Sequence, residues 1–252
     1  MDAACERGLT VRYGRVLERL EAACAAAGRR GEEVALVAVS KLHPPAAVAV
    51  LQAAGQRDFG ENYMQEALRK RRELAALPRA RDAMGESVEI RWHFLGHLQS
   101  RKAAQAVEGF ALLHSLDSLR LADALERRLA LTGRRQPVLI QVNLAEESRK
   151  SGVTTGDLPL LADYVVENCP HLDLRGLMCL PPVFDASWAA RPHFARLHSL
   201  RERLRARLLL PLPELSMGMS GDFEAAVAEG ATLVRIGTDI FGQRPLAQSV
   251  HV

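Results

Sequence analysis

No stretch of the 252 residues stays apolar long enough to cross a bilayer as a helix, which takes about 20 positions. The N-terminal segment MDAACERGLTVRYGRVLERL is broken by charges too early to read as a signal peptide. Cysteine is scarce. The four present, Cys5, Cys24, Cys169 and Cys179, form no CxxC pair and no metal-ligand spacing, which argues for reduced thiols in a reducing compartment. An excess of one charge is lacking as well: 33 basic against 30 acidic residues leave a formal charge of +3, too little to suggest nucleic acid or an anionic membrane as a partner. The basic clusters Lys70-Arg71-Arg72 and Arg201 to Arg207 lie in helical stretches and read as solvated faces. There is no linker, repeat or low-complexity tract. These absences leave a soluble, cytoplasmic, single-domain protein, and the balance of 48% hydrophobic and 25% charged residues is ordinary for that class.

What the sequence does contain is alternation. Leu9, Tyr13, Val16, Leu17, Leu20 and Cys24 recur at helical spacing, and Gly28 is a natural stop. Short apolar or β-branched runs then predict strands at 34–40, 58–60, 90–95, 111–115, 138–143, 174–179, 214–217 and 233–236. Amphipathic stretches between them predict helices at 45–54, 62–75, 101–107, 118–131, 158–168, 188–208 and 222–229. Such alternation implies parallel strands joined by right-handed crossovers. Eight strands in this length predict an α/β fold, a single (β/α)8 TIM barrel over 34–244 preceded by an N-terminal helix within 1–30. A doubly wound open sheet is the alternative.

Barrel chemistry sits where strands end, and polar groups collect there. The first strand ends in Ser40-Lys41, the second runs into FGENY, the third into RWHFLGHLQSRK and the fourth into HSLDS. The fifth gives Asn143 and then EESRKSG, the seventh SMGMSGD and the eighth RIGTDIFGQR. Gly218, Ser220 and Gly221 precede a helix, and Gly237 and Thr238 follow a strand. Small residues, backbone amides and hydroxyls in these two loops suit a phosphate group. Asp222 reads as a helix cap. Lys41 closes an apolar strand, where it is an ion-pair member, a phosphate contact, a snorkelling side chain or a Schiff-base former. Desolvation and neighbouring cations such as Lys102 and Arg235 would lower a lysine pKa and favour the last of these.

The motifs LVAVSK, FGENY-QE, WHFLGHLQS-K, VN---E--KSG, GLM, LSMGMS-DFE-A and VRIGT-IFG-R resemble, in order and spacing, the pyridoxal-phosphate homeostasis protein family, over residues 34 to 244. That resemblance implies a barrel like the N-terminal domain of alanine racemase, which binds pyridoxal 5′-phosphate (PLP) as a lysine Schiff base and helps control its intracellular supply. By position, Lys41 matches the Schiff-base lysine. Ser220, Gly237 and Thr238 match the phosphate site, and Arg235 the group facing the pyridine nitrogen. Asn62, His93 and Met217 match ring- or site-lining positions, and Lys150 falls in a loop linked to cofactor loading. Lys102 is retained, whereas Arg101 replaces the asparagine usual in the pattern. The implied partners are PLP and apo PLP-dependent enzymes, with the chain a monomer.

The alternatives are a PLP-dependent racemase and a cofactor-free Schiff-base aldolase. An arginine at the ring nitrogen disfavours the pyridinium by like-charge repulsion and so weakens the electron sink, although racemases of the related fold share it. A racemase of that type also takes a second base, a tyrosine, from a further β domain. The tyrosines here are Tyr13, Tyr63 and Tyr164, and the sequence ends soon after the eighth strand. A carrier rather than an enzyme is the expectation. His93 and His97 have metal-like spacing, but Gly96 and the strand context argue against a helical ligand pair. His43, His114, His171, His193 and His198 form no constellation, and Trp92 and Trp188 read as packing residues.

Overall fold

The computed structural model of the protein describes residues 2–77, 89–107, 109–145, 151–182, 184 and 186–243. Eight parallel strands close on themselves: β1 (Ala35–Val39), β2 (Asp58–Glu61), β3 (Arg91–Phe94), β4 (Leu112–Leu116), β5 (Gln136–Val142), β6 (Leu172–Cys179), β7 (Glu214–Ser216) and β8 (Leu233–Ile236). Closure comes from β1 pairing with β8, with Ala35 beside Leu233 and Val37 beside Arg235. The helices are α1 (Ala3–Ala26), α2 (Pro45–Ala53), α3 (Met64–Ala75), α4 (Ala103–Ala106), α5 (Leu119–Ala130), α6 (Leu158–Asn168), α7 (Arg191–Leu208), α8 (Phe223–Ala228) and α9 (Thr238–Phe241). The α/β barrel expected from the alternation is the one formed, and the open-sheet alternative is excluded by the β1–β8 pairing.

Two cores follow from the strand pleat, because successive side chains face opposite sides. Val37, Leu112, Leu139, Met178 and Leu233 fill the barrel interior. A larger cluster lies between strands and helices, where Phe59, Phe94, Phe194 and Phe223 are fully buried. At β6, Gly176 has φ +150, and a Cβ there would stand 1.9 Å from the Glu214 carbonyl oxygen; only glycine allows β7 to approach.

The first helix begins with the Asp2 carboxylate accepting the Cys5 N–H at 2.8 Å and ends before Gly28, whose φ of +67 suits a left-handed stop. Leu9, Tyr13, Val16, Leu20 and Cys24 are buried as their spacing predicts, but Leu17 is turned outward. Arg12 and Arg19 tie α1 to the segments after β7 and β8: Arg12 Nε donates to the Ile240 carbonyl at 2.8 Å, and Arg19 binds Glu224 and Asp239 at 2.6 Å each.

Four expectations change. The region at 101–107 is a 3-10 turn, Ser100–Lys102, followed by the single turn α4. Trp188 precedes α7 in another 3-10 turn and is 72% exposed, so it packs little, whereas Trp92 is buried against Phe59 as expected. Lys70 leaves the basic surface cluster and runs inward, 2% exposed, and Arg201 is also buried. The α9 turn escaped the reading because four residues carry no periodicity. No helix among the described residues is long and apolar enough to cross a membrane.

Candidate functional site

The C-terminal ends of the strands surround a cleft of about 220 Å³. Lys41, in the turn after β1, reaches one wall, and Asn62 follows β2. Arg235 enters from β8. Ser220, Gly221, Gly237 and Thr238 form the wall built by the loops after β7 and β8. Six of the residues matched through the family resemblance therefore meet in one place: Lys41, Asn62, Ser220, Arg235, Gly237 and Thr238. Two do not. Met217 is fully buried in the layer between strands and helices, because the pleat turns it away from the interior that Ser216 faces. His93 points into the barrel interior, below the cleft, and lines the opposite mouth. Lys150 lies outside the described residues, as does Arg244 of the last motif. Lys102 is absent from the described cleft lining, so of the two cations expected near Lys41 only Arg235 is there.

The backbone that carries Lys41 is clamped on both sides. Ser40 O accepts from Lys70 Nζ at 2.6 Å, and Ser40 Oγ donates to Glu61 Oε1 at 2.6 Å. Leu42, held at φ +65, donates its N–H to Glu66 Oε1 at 2.5 Å. Lys70 completes the cluster by binding Glu61 at 2.6 Å and Glu66, four residues back on α3, at 3.0 Å. A left-handed leucine costs about 1 kcal/mol or more and persists where its surroundings over-determine it; here an ion-paired carboxylate does so. Burial raises the Glu61 carboxyl above its ordinary range, against the opposing pull of Lys70. His43 lies flat on Phe241, ring centres 4.9 Å apart, linking the Lys41 turn to α9.

The β7 loop depends on Gly218, at φ +91, where a Cβ would meet Ala226 Cβ at 2.6 Å and Phe223 Cα at 2.9 Å. Asp222 occupies the position before α8, yet its side chain does not cap the helix. It turns back to accept the Met219 N–H at 2.6 Å and so closes the Met219–Asp222 turn. Ser220 Oγ accepts the Asp239 N–H at 3.4 Å, joining the β7 and β8 loops. Arg235 is buried; Nη1 donates to Ser216 Oγ at 2.7 Å and Nη2 to the Cys179 carbonyl at 2.9 Å. Burial lowers its pKa, opposed by Cys179 and Asp222, while burial pushes the Cys179 thiol up to about 12.

Sequence reading missed Met178, Leu180, Met219 and His43 as cleft residues. The signal was available for His43, two positions after the lysine, and for Met178 in GLM; an apolar residue at a strand end reads as core until the barrel is closed. His97 is half-exposed and faces Asp117 at 3.2 Å, away from His93, and no cluster among the described residues could hold a metal.

Residues 16–245 match the family described as alanine racemase, N-terminal domain. The chain is 46% identical to the pyridoxal phosphate homeostasis protein of Pseudomonas aeruginosa over 230 residues, 91% of this chain and 93% of that one. It is 39% identical to the pyridoxal phosphate homeostasis protein of Aquifex aeolicus over 241 residues, 96% and 98% of the two chains. PipY of Synechococcus elongatus, solved with PLP bound, superposes with a TM-score of 0.74 at 41% identity over 83% of this chain and 93% of that chain. With its strands closed into the same barrel and its sequence alike from end to end, the chain belongs to the pyridoxal phosphate homeostasis protein family.

Proposed function

We propose that this chain binds PLP in the cleft as a Schiff base on Lys41, and that it acts in intracellular PLP homeostasis as a carrier rather than as an enzyme. The observation that carries the reading is the meeting of the Lys41 amine, the Arg235 guanidinium and the Ser220 and Thr238 hydroxyls in one cleft. That donor set fits the cofactor group by group. The hydroxyls and small residues after β7 and β8 suit its phosphate, and Arg235 can only donate, as an unprotonated ring nitrogen requires. Asn62 Oδ1 is buried with no hydrogen-bond partner, an acceptor waiting for a donor such as a phenol. The cofactor supplies an aldehyde and, when used by an enzyme, an electron sink. Lys41 contributes a primary amine whose condensation with that aldehyde forms one C=N bond and releases one water.

The carrier reading is supported by what surrounds the cleft. Tyr13 bonds to Gln56 and Tyr164 to Asp123, and Tyr63 is half-exposed; none of the three lines the cleft among the described residues. A racemase needs a second positioned acid–base group on the far side of its substrate. PLP-dependent apo-enzymes are the proposed recipients, and a single-domain cytoplasmic monomer the proposed form. Purified protein mixed with PLP should gain a visible absorption band that borohydride bleaches, with the reduced cofactor mapping to Lys41. Lys41→Ala should lose the band. Protein that stays colourless would end the proposal, and robust racemisation of a common amino acid would replace the carrier with an enzyme.

A further inference from the structure

His93, which the resemblance matches to a ring- or site-lining position, takes part in an arrangement of its own. His93 belongs to a file of hydrogen bonds that crosses the barrel interior from the N-terminal mouth to the cleft. Asp58 Oδ1 stands 2.8 Å from His93 Nε2, and His93 Nδ1 stands 2.9 Å from His114 Nε2. His114 Nδ1 is 2.8 Å from Ser216 Oγ, which accepts from Arg235 Nη1 at 2.7 Å. Five side chains from β2, β3, β4, β7 and β8 are joined in sequence, all of them buried. Arg91 closes the outer end by pairing with Asp58 at 2.5 Å, where the file reaches solvent.

With the histidine pair neutral, the two ends dictate every proton in between. An arginine can only donate and an ionised aspartate can only accept. Asp58 therefore accepts the His93 Nε2–H, and a neutral His93 then offers an acceptor at Nδ1. His114 must fill that acceptor from its own Nε2–H, and it is left with an acceptor at Nδ1. Ser216 donates its hydroxyl proton there and keeps its lone pairs for Arg235. Every bond then points from the cleft toward Asp58, and such aligned files strengthen one another in a low-dielectric interior. An extra proton on the histidine pair would reverse the bonds between His93 and Ser216 and set a second cation against Arg235.

The geometry points to Asp58, His93, His114 and Ser216 as positioning residues for Arg235: the file fixes both histidines as neutral Nε2–H tautomers and holds the guanidinium at the cleft with one set of protons. The charged and titratable groups around the pair agree with this. Asp58 comes from β2 with Arg91 beyond it on β3, and Arg235 comes from β8. Cys179 on β6 and Asp222 before α8 act on Arg235 from its other side. Burial, and with it the Arg235 guanidinium, disfavours protonation of His114. Asp58 is held below its ordinary range because bonds from His93 and Arg91 outweigh the burial that would raise it. The part of this inference that concerns binding rests on the PLP reading of the cleft; the tautomers do not.

Two measurements on the full chain separate those parts. Long-range 1H–15N spectra of 15N-histidine protein without ligand should show His93 and His114 as Nε2–H tautomers at pH 7, where an imidazole can adopt either tautomer. An Nδ1–H tautomer or a charged ring at either position at pH 7 overturns the inference, whatever the cleft binds. PLP titration should show Ser216→Ala binding about tenfold more weakly, with a shifted pH midpoint for the absorption of bound PLP, as loss of a bond to a charged group implies. Leu139→Val, an interior packing change without hydrogen bonds, should keep both at the parent values. If Ser216→Ala matches the parent in affinity and pH profile, or if Leu139→Val loses as much, the file does not position Arg235. Failure of the parent protein to bind PLP rejects the proposed function, and the tautomers alone then decide whether the file is set as described.

Discussion

Behind the turn that carries Lys41 lies a knot of formal charges; behind Arg235 lies a file of neutral rings and a hydroxyl. The first, Lys70 with Glu61 and Glu66, is buried between β2, α3 and the Lys41 turn, with Lys70 2% and Glu61 0% exposed. The second spreads its polarity across the barrel interior and keeps its charges at the ends. A compact ion cluster can hold a short backbone segment against its own strain, as at Leu42, but each charge depends on its neighbours at contact distance. A neutral file spans a longer distance because each bond sets the orientation of the next. The two supports should therefore break differently.

The largest effect is expected at the ion cluster. Lys70→Met leaves Glu61 and Glu66 without their cation and should cost about 3–5 kcal/mol in urea unfolding, the range for stripping one partner from a buried pair. A loss near zero would mean that the cluster is solvated and does not clamp the turn. Next comes Gly218→Ala, which combines φ +91 with a contact at 2.6 Å; roughly 1–3 kcal/mol of strain should appear as lower stability and weaker PLP binding.

The two regions also differ in the sign of their pH dependence. Asp58 has a folded pKa below its ordinary value, so it contributes stability above the unfolded pKa of about 3.9 and loses it as pH falls through the lower folded value. Glu61 has a raised pKa, so its contribution is present at low pH and fades as pH rises through the folded value. Asp58→Asn should flatten the acid limb of a stability–pH curve, and Glu61→Gln should remove a decline on the rising side. Equal responses in the two variants would erase the distinction drawn here. The smallest effect belongs to the surface: Arg19→Ala breaks exposed pairs to Glu224 and Asp239 and should cost roughly 0.2–1 kcal/mol by thermal melts, further reduced by salt.

Legibility in the sequence followed periodicity. Strands such as β1 and β8 were readable because they are short, largely apolar runs; β8 was placed to the residue, and β5 and β6 start two residues earlier than expected, where Gln136 and Asp173 interrupt the apolar pattern. The cleft was readable in part, since Lys41, Asn62, Ser220, Arg235, Gly237 and Thr238 all follow or end strands. Met178 and Leu180 were not, because an apolar side chain carries no chemical label. Lys70 was misread because its neighbours Arg71 and Arg72 suggest a solvated face, and only the position of Glu61 draws it inward. Asp222 was placed correctly before α8, but its carboxylate found the nearer Met219 N–H.

The sequence by itself determined the alternation of eight strands with helices and the presence of an amine, a guanidinium and small hydroxyl-bearing residues at strand ends. Those are properties of local spacing, written along the chain. Tertiary structure decided which side of each strand faces the interior, sending Ser216 inward and Met217 outward, and it decided that Asp58 and Arg235 share one file of hydrogen bonds. Closing the barrel sets strand register and pleat together, and no single segment contains either.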